Sequence, residues 1–214
     1  MPVEGPQFPV NLIVKGRRCL VVGAGPIAAR KAESLIVCGA LVVMVAPEVS
    51  DAAAILETAG QVEIVRRRYE ADDLQGAWLV VTATGDREVD AAVFADATSR
   101  HIWVNSADDP DRCSFTLPAV VRQGPVMVTV GTGGHSPALA AWLRAKLTDE
   151  IGPEYAVLAD LLAMAREQVR GSGRSTEGLD WPSVIDSGML ELIRRGEIPL
   201  AKERLQAWLS SSSE

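Results

Sequence analysis

Cysteine is scarce in this chain, and basic charge is in deficit. Only Cys19, Cys38 and Cys113 occur, far apart and without a Cys-x-x-Cys pair, so neither a disulfide framework nor a zinc site is suggested. Lysine and arginine number 21 against 28 aspartates and glutamates, a formal net charge of −7. That balance lacks the dense basic footprint a nucleic-acid surface needs. No apolar run is long enough to span a bilayer, no internal repeat recurs, and residues 1–9 lack the basic start and apolar centre of a secretory signal. The expectation is a cytoplasmic protein with no membrane and no nucleic-acid partner. A hydrophobic content of 48% with 23% charged residues fits an ordinary globular chain, and 214 residues suffice for one domain with a helical appendage.

What is present is organised around residues 19–32. Leu20, Val21 and Val22 form a short β-type run, Gly23-x-Gly25-x-x-Ala28 follows at once, and a helical pattern then places Ile27, Leu35 and Ile36 on one face. Gly23 permits the tight turn, Gly25 lets a pyrophosphate approach the backbone, and Ala28 lets helix and strand pack closely. Pro26 suits the first helical turn, whose unpaired N–H groups face the phosphates. An ordinary strand–helix turn uses similar glycines, but the strand before and the helix after favour dinucleotide binding. A second apolar run, 41–46, ends in Pro47-Glu48. Glu48 lies 25 residues after Gly23, a little beyond the usual ~20-residue spacing of an acid that contacts the adenosine ribose. No arginine follows that strand immediately to receive a 2′-phosphate, so NAD is expected over NADP.

The alternation continues with a helix starting at Ser50-Asp51, a strand at 62–65, a strand at 79–82, a helix at 87–99 and a strand at 102–104. Ligands bind beyond the carboxyl ends of such strands, which brings Thr82 and Thr84 into reach of a cofactor, while Asp86 reads as a helix cap. Arg66-Arg67-Arg68 reads as a solvated surface. The loop 105–113 is unusually acidic; on the residues alone its aspartates read as turn formers. Residues 114–122 and 125–130 flank Gln123-Gly124 as a hairpin, and a glycine stretch, 131–137, opens a helix carrying Leu139, Leu143 and Leu147. It has no Walker lysine in register. From Glu154 the chain reads helical, ending in a frayed tail, Ser210–Ser213.

Assembled, these blocks resemble the siroheme-synthase dehydrogenase family, precorrin-2 dehydrogenases with or without sirohydrochlorin ferrochelatase activity. The resemblance rests on Gly23 to Ala32, Ala46-Pro47-Glu48, Thr82-Ala83-Thr84, Val104-Asn105 with Asp108, Ser114-Phe115 with Pro118-Ala119, and Gly133-Gly134-x-Ser136-Pro137-x-Leu139-Ala140. It implies an α/β architecture: a Rossmann-type parallel-sheet domain over 1–113, a small α+β dimerisation region over 114–150 and a helical C-terminal domain over 151–214. The implied activity is NAD-dependent oxidation of precorrin-2 to sirohydrochlorin by a homodimer, with Fe²⁺ insertion as an additional step and Co²⁺ as a related alternative metal substrate. Cofactor contacts are expected at Gly23, Gly25, Pro26, Ile27, Pro47, Glu48, Thr82 and Thr84. Substrate contacts are expected at Asn105, Thr132, Gly133, His135 and Ser136, with Arg112, Arg122, Arg144 or Lys146 meeting its carboxylates. The resemblance reverses the turn reading of the acidic loop and makes Asp108 the catalytic base. No resident metal is expected. A reading from a different class remains: a regulatory module that senses NAD without tetrapyrrole chemistry.

Overall fold

The computed structural model describes residues 5–211. Residues 1–4 and 212–214, which include Ser212 and Ser213 of the serine tail, lie outside the described residues. Contacts divide the chain into two units, the first reaching to Leu117 and taking in Gly133–His135, the second holding Pro118–Thr132 and the chain from Ser136.

The first unit is built from β1 (Arg18–Val22), α1 (Pro26–Val37), β2 (Leu41–Val45), α2 (Asp51–Thr58), β3 (Val62–Val65), β4 (Leu79–Thr82), α3 (Arg87–Ser99) and β5 (Trp103–Ser106). The five strands form one parallel sheet in the order β3-β2-β1-β4-β5, with the order reversing between β1 and β4. Successive side chains of a strand point to opposite faces, and both faces are covered. Cys19 and Val21 pack with Ala28, Ala29 and Ala32 of α1 and with Ala53 and Leu56 of α2, whereas Leu20 and Val22 pack with Val93 and Ala97 of α3. The α1 face that meets the sheet is therefore made of alanines, which let the helix axis come close. Ile27 stands 43% exposed at the helix start, a correction to the face expected from periodicity. Ser50 and Asp86 cap α2 and α3 through their side chains.

Two further differences follow from non-local hydrogen bonds. β5 extends to Ser106, and residues 114–118 are a strap instead of the start of a hairpin strand. Ser114 N–H donates to the Val104 carbonyl, and the Ser114 hydroxyl accepts from Val104 N–H, both at 2.8 Å. The basic run is ion-paired: Arg66 meets Glu57, and Arg67 makes a two-pronged contact with the buried Asp73.

In the second unit β6 (Ala119–Gln123) and β7 (Val126–Val130) form an antiparallel pair, followed by α4 (Pro137–Glu150), α5 (Glu154–Gly171), α6 (Trp181–Val184), α7 (Leu190–Arg194) and α8 (Ile198–Ser211). Leu158, Leu161, Ala165 and Val169, spaced as one helical face, pack against Met189, Leu192, Ile193, Ala201 and Leu205. Gly188, at φ 90°, turns the chain between α6 and α7. α8 continues over Ser210 and Ser211, the described part of the expected frayed tail, whose hydroxyls bond the carbonyls of Gln206 and Trp208. None of the 14 residues of α4 is buried. Among the described residues no helix is long and apolar enough to cross a membrane.

Candidate active site

The parallel register places Val65, Val45, Val22, Thr82 and Ser106 in one row at the carboxyl edge of the sheet. Hydrogen bonding continues one residue further: Gly23 N–H donates to Val45, Ala83 N–H to Val22 and Ala107 N–H to Thr82, each at 2.9 Å. The segments that leave this row carry the residues that the motifs single out. In an open α/β sheet the crevice at the point where strand order reverses is the ligand site.

Gly23 adopts φ 112°, and a Cβ there would press on the Ala83 carbonyl, with the carbonyl carbon at 2.9 Å. The turn therefore needs glycine both for its backbone angle and for its contact with the end of β4. Gly25 differs: its φ of −74° is open to any residue, and a Cβ there would meet nothing within 4 Å. The space above Gly25 is what an approaching pyrophosphate requires. The first turn of α1 has no side-chain cap and no acidic residue, so its N–H groups and helix dipole face outward for an anion. Pro26 and Ile27 stand exposed beside that turn. Ser50 ties the β2–α2 loop to it, donating from its hydroxyl (2.7 Å) and its N–H (3.0 Å) to the Ala24 carbonyl. The exposed Pro47 and Glu48 are thereby held beside the glycine turn. These features fit a dinucleotide, whose pyrophosphate, adenosine ribose and ring would meet the first turn of α1, Glu48 and the ends of β4 and β5.

Thr82 and Thr84 are placed differently from each other. Thr82 is completely buried, and its hydroxyl donates to Asp90 of α3; half-buried Thr84 donates to the same carboxylate oxygen at 2.7 Å. Of the two, only Thr84 is partly exposed, while Thr82 secures the turn beneath it. Asn105 is likewise 6% exposed, its amide donating to the Phe115 carbonyl at 2.9 Å and to Cys113 Sγ at 3.5 Å. It anchors the acidic loop instead of facing outward, which corrects the expected substrate contact.

That loop is held at both ends. Ser106 N–H donates to Cys113 Sγ at 3.2 Å, and Arg112 bonds the Arg87 carbonyl at 2.9 Å. Asp109 caps the turn at 110–112 and pairs with Arg112. Asp108, by contrast, is exposed directly beyond the end of β5. Lys31 on α1 faces the same loop. Burial and neighbouring Arg30 push its ammonium down, while the charges of Cys113 and Asp108 draw it back up. Burial pushes the Cys113 thiol up, against the Ser106 N–H bond and Lys31, and the sulfur serves the loop as a hydrogen-bond acceptor. Lys31 was not singled out from sequence, although its spacing from Ala28 and Leu35 puts it on the inward side of α1.

The glycine stretch closes a turn of its own. Thr132 Oγ1 accepts from Ser136 N–H at 3.3 Å, and Ser136 Oγ caps α4 by accepting from Leu139 N–H at 3.1 Å. Gly133 and exposed His135 belong to the first unit by their contacts. Among the basic candidates, Arg122, Arg144 and Lys146 are exposed, Lys146 lying 4.6 Å over the Trp142 ring, whereas Arg112 is engaged within its loop.

The chain is 36% identical over 208 residues to the siroheme synthase of Nitrosomonas eutropha, covering 96% of this chain and 44% of that protein. It is 38% identical over 202 residues to the siroheme synthase of Pseudomonas entomophila, covering 93% and 43%. The chain thus spans less than half the length of these curated relatives. A solved structure titled "SirC, precorrin-2 dehydrogenase" superposes with a TM-score of 0.67 at 25% identity, covering 96% of this chain and 98% of that one. Residues 10–119, which contain the glycine turn and every strand of the parallel sheet, match the family described as "Putative NAD(P)-binding". By that match, and by a strand edge whose glycine turn is shaped for a dinucleotide, the chain belongs to this NAD(P)-binding family.

Proposed function

We propose that this chain oxidises precorrin-2 to sirohydrochlorin with NAD⁺ as the hydride acceptor. The observation that carries the reading is the whole-length likeness to the structure titled as a precorrin-2 dehydrogenase, coupled with an exposed carboxylate, Asp108, two residues beyond the end of β5. Bound NAD⁺ supplies the two-electron acceptor. The chain does the rest. Gly25 and the first turn of α1 hold the pyrophosphate, Glu48 takes the ribose hydroxyls, and Thr84 borders the crevice where the ring enters. Asp108 accepts the proton that leaves precorrin-2 as its hydride departs, which balances the removal of two hydrogens. Arg122, Arg144 or Lys146 supplies a cation for the carboxylates of the tetrapyrrole.

The reading includes a homodimer. A helix with no buried residue, carrying Leu139 at 47% and Trp142 at 55% exposure, leaves an apolar face for a second copy. The expected result of sedimentation at micromolar concentration is a dimer that Trp142→Glu shifts to monomer; a monomeric parent contradicts this part of the reading.

Anaerobic absorption spectroscopy of precorrin-2 with the protein and NAD⁺, followed by Fe²⁺, tests both chemical steps. The sirohydrochlorin spectrum appears on NAD⁺ addition, and a metal-dependent change faster than the non-enzymatic rate assigns Fe²⁺ insertion as well. NAD⁺ binding with no spectral change supports the sensing module instead.

A further inference from the structure

Asp90 is a buried carboxylate that neither the pyrophosphate site nor the proposed base employs. It lies in the first turn of α3, is 5% exposed, and accepts from the hydroxyls of Thr82 and Thr84 through one oxygen. No ion pair among the described residues includes it. Next to Thr82 in the β4–β5 register stands Ser106, also 5% exposed, whose hydroxyl has no hydrogen-bond partner. The row of strand ends is thus apolar over β3, β2 and β1, where it reads Val65, Val45 and Val22. It becomes polar only over β4 and β5.

Resting on the dinucleotide reading above, this asymmetry has a direction. Glu48 after β2 takes the adenosine ribose and the turn after β1 takes the pyrophosphate, so the nicotinamide half extends over β4 and β5. We propose that Asp90, with Thr84 and Ser106 around it, forms the nicotinamide end of the site and makes the protein hold the oxidised dinucleotide more tightly than the reduced one. A carboxylate held by two hydroxyls at the amino end of α3, with no ion pair among the described residues, contributes negative potential to the neighbouring strand ends. NAD⁺ brings a positive ring to that potential and NADH a neutral one; adenosine, riboses and pyrophosphate are common to both. The change in the ratio of the two dissociation constants on replacing Asp90 therefore isolates its interaction with the ring charge. Unit charges on the order of 10 Å apart at an effective dielectric constant of about 20 change that ratio about tenfold. The unpartnered Ser106 hydroxyl marks where a polar group of the ligand completes the cluster. In function, the device favours loading of the oxidant and release of the reduced product.

The test is titration of the full chain with NAD⁺ and with NADH by calorimetry. The parent binds NAD⁺ more tightly, Asp90→Asn lowers the NADH-to-NAD⁺ dissociation-constant ratio about tenfold, and Glu88→Gln, an exposed acid in the same turn, leaves the ratio unchanged. A merely structural role moves both affinities together and leaves the ratio of Asp90→Asn within twofold of the parent, which overturns the proposal. If Asp90→Asn does not fold, the parent decides: NADH held as tightly as NAD⁺, or more tightly, overturns it. A parent that binds neither form refutes the dinucleotide reading itself, a different result.

Discussion

Asp108→Ala lowers turnover with precorrin-2 by about 10²–10⁴-fold, the range for losing a positioned general base, while the dissociation constant for NAD⁺ stays within about twofold of the parent. The separation follows from the placement of the residue. Asp108 belongs to the loop beyond β5, whereas the cofactor's pyrophosphate and adenosine meet the turn after β1 and the segment after β2. The side chain is exposed, so its removal opens no cavity and leaves the Cys113 and Ser114 bonds that hold the loop in place. Asp109→Ala is the matched control. That residue is occupied in capping its turn and pairing with Arg112, and its loss affects the order of the loop more than the chemical step. Initial rates across substrate concentration, with NAD⁺ binding measured separately, distinguish a loss of turnover from a loss of binding. Full turnover in Asp108→Ala assigns the base elsewhere.

Gly25→Val abolishes most NAD⁺ affinity, on the order of a hundredfold or about 2.7 kcal/mol, and leaves the fold intact. The two glycines of the motif separate binding from stability. At Gly25 the backbone angle is ordinary and an added side chain enters open space, so the unliganded protein changes by no more than about 1 kcal/mol, the usual range for a helix cap. The valine instead occupies the volume the pyrophosphate needs. At Gly23 the order is reversed. Alanine there faces a left-handed backbone and the Ala83 carbonyl, and strain alone costs about 1–3 kcal/mol. Thermal unfolding of the two variants, paired with NAD⁺ titration, reads the contrast. A Gly25→Val protein that binds NAD⁺ normally removes the pyrophosphate from that turn.

The parts of this molecule that follow local rules were legible before its structure. The strand–glycine turn–helix unit, the caps at Ser50 and Asp86 and the helical character of the chain from Glu154 each depend on residues within a few positions of one another. What escaped depends on partners far along the chain. Residues 114–118 have the composition of a strand, but Ser114 bonds Val104 across ten positions and turns the segment into a strap. Thr82 and Asn105 have the residue types of a ligand site, yet their burial is decided by the docking of α3 and by that strap. Asp90 carried a usable signal, because with Val93 and Ala97 it falls on one helical face at spacings of three and seven. An acid on an otherwise apolar face marks a buried carboxylate in want of partners, and Thr82 and Thr84 supply them. Lys31 carried the same kind of signal on α1.

The measurement that bears most directly on the proposed chemistry is a single-turnover experiment without oxygen, with the protein and NAD⁺ in excess over precorrin-2. NADH absorbance and the tetrapyrrole spectrum are followed together. NADH forms in step with sirohydrochlorin, one for each precorrin-2 consumed, if the strand-end site performs the oxidation. Bound NAD⁺ that stays oxidised while precorrin-2 persists contradicts it.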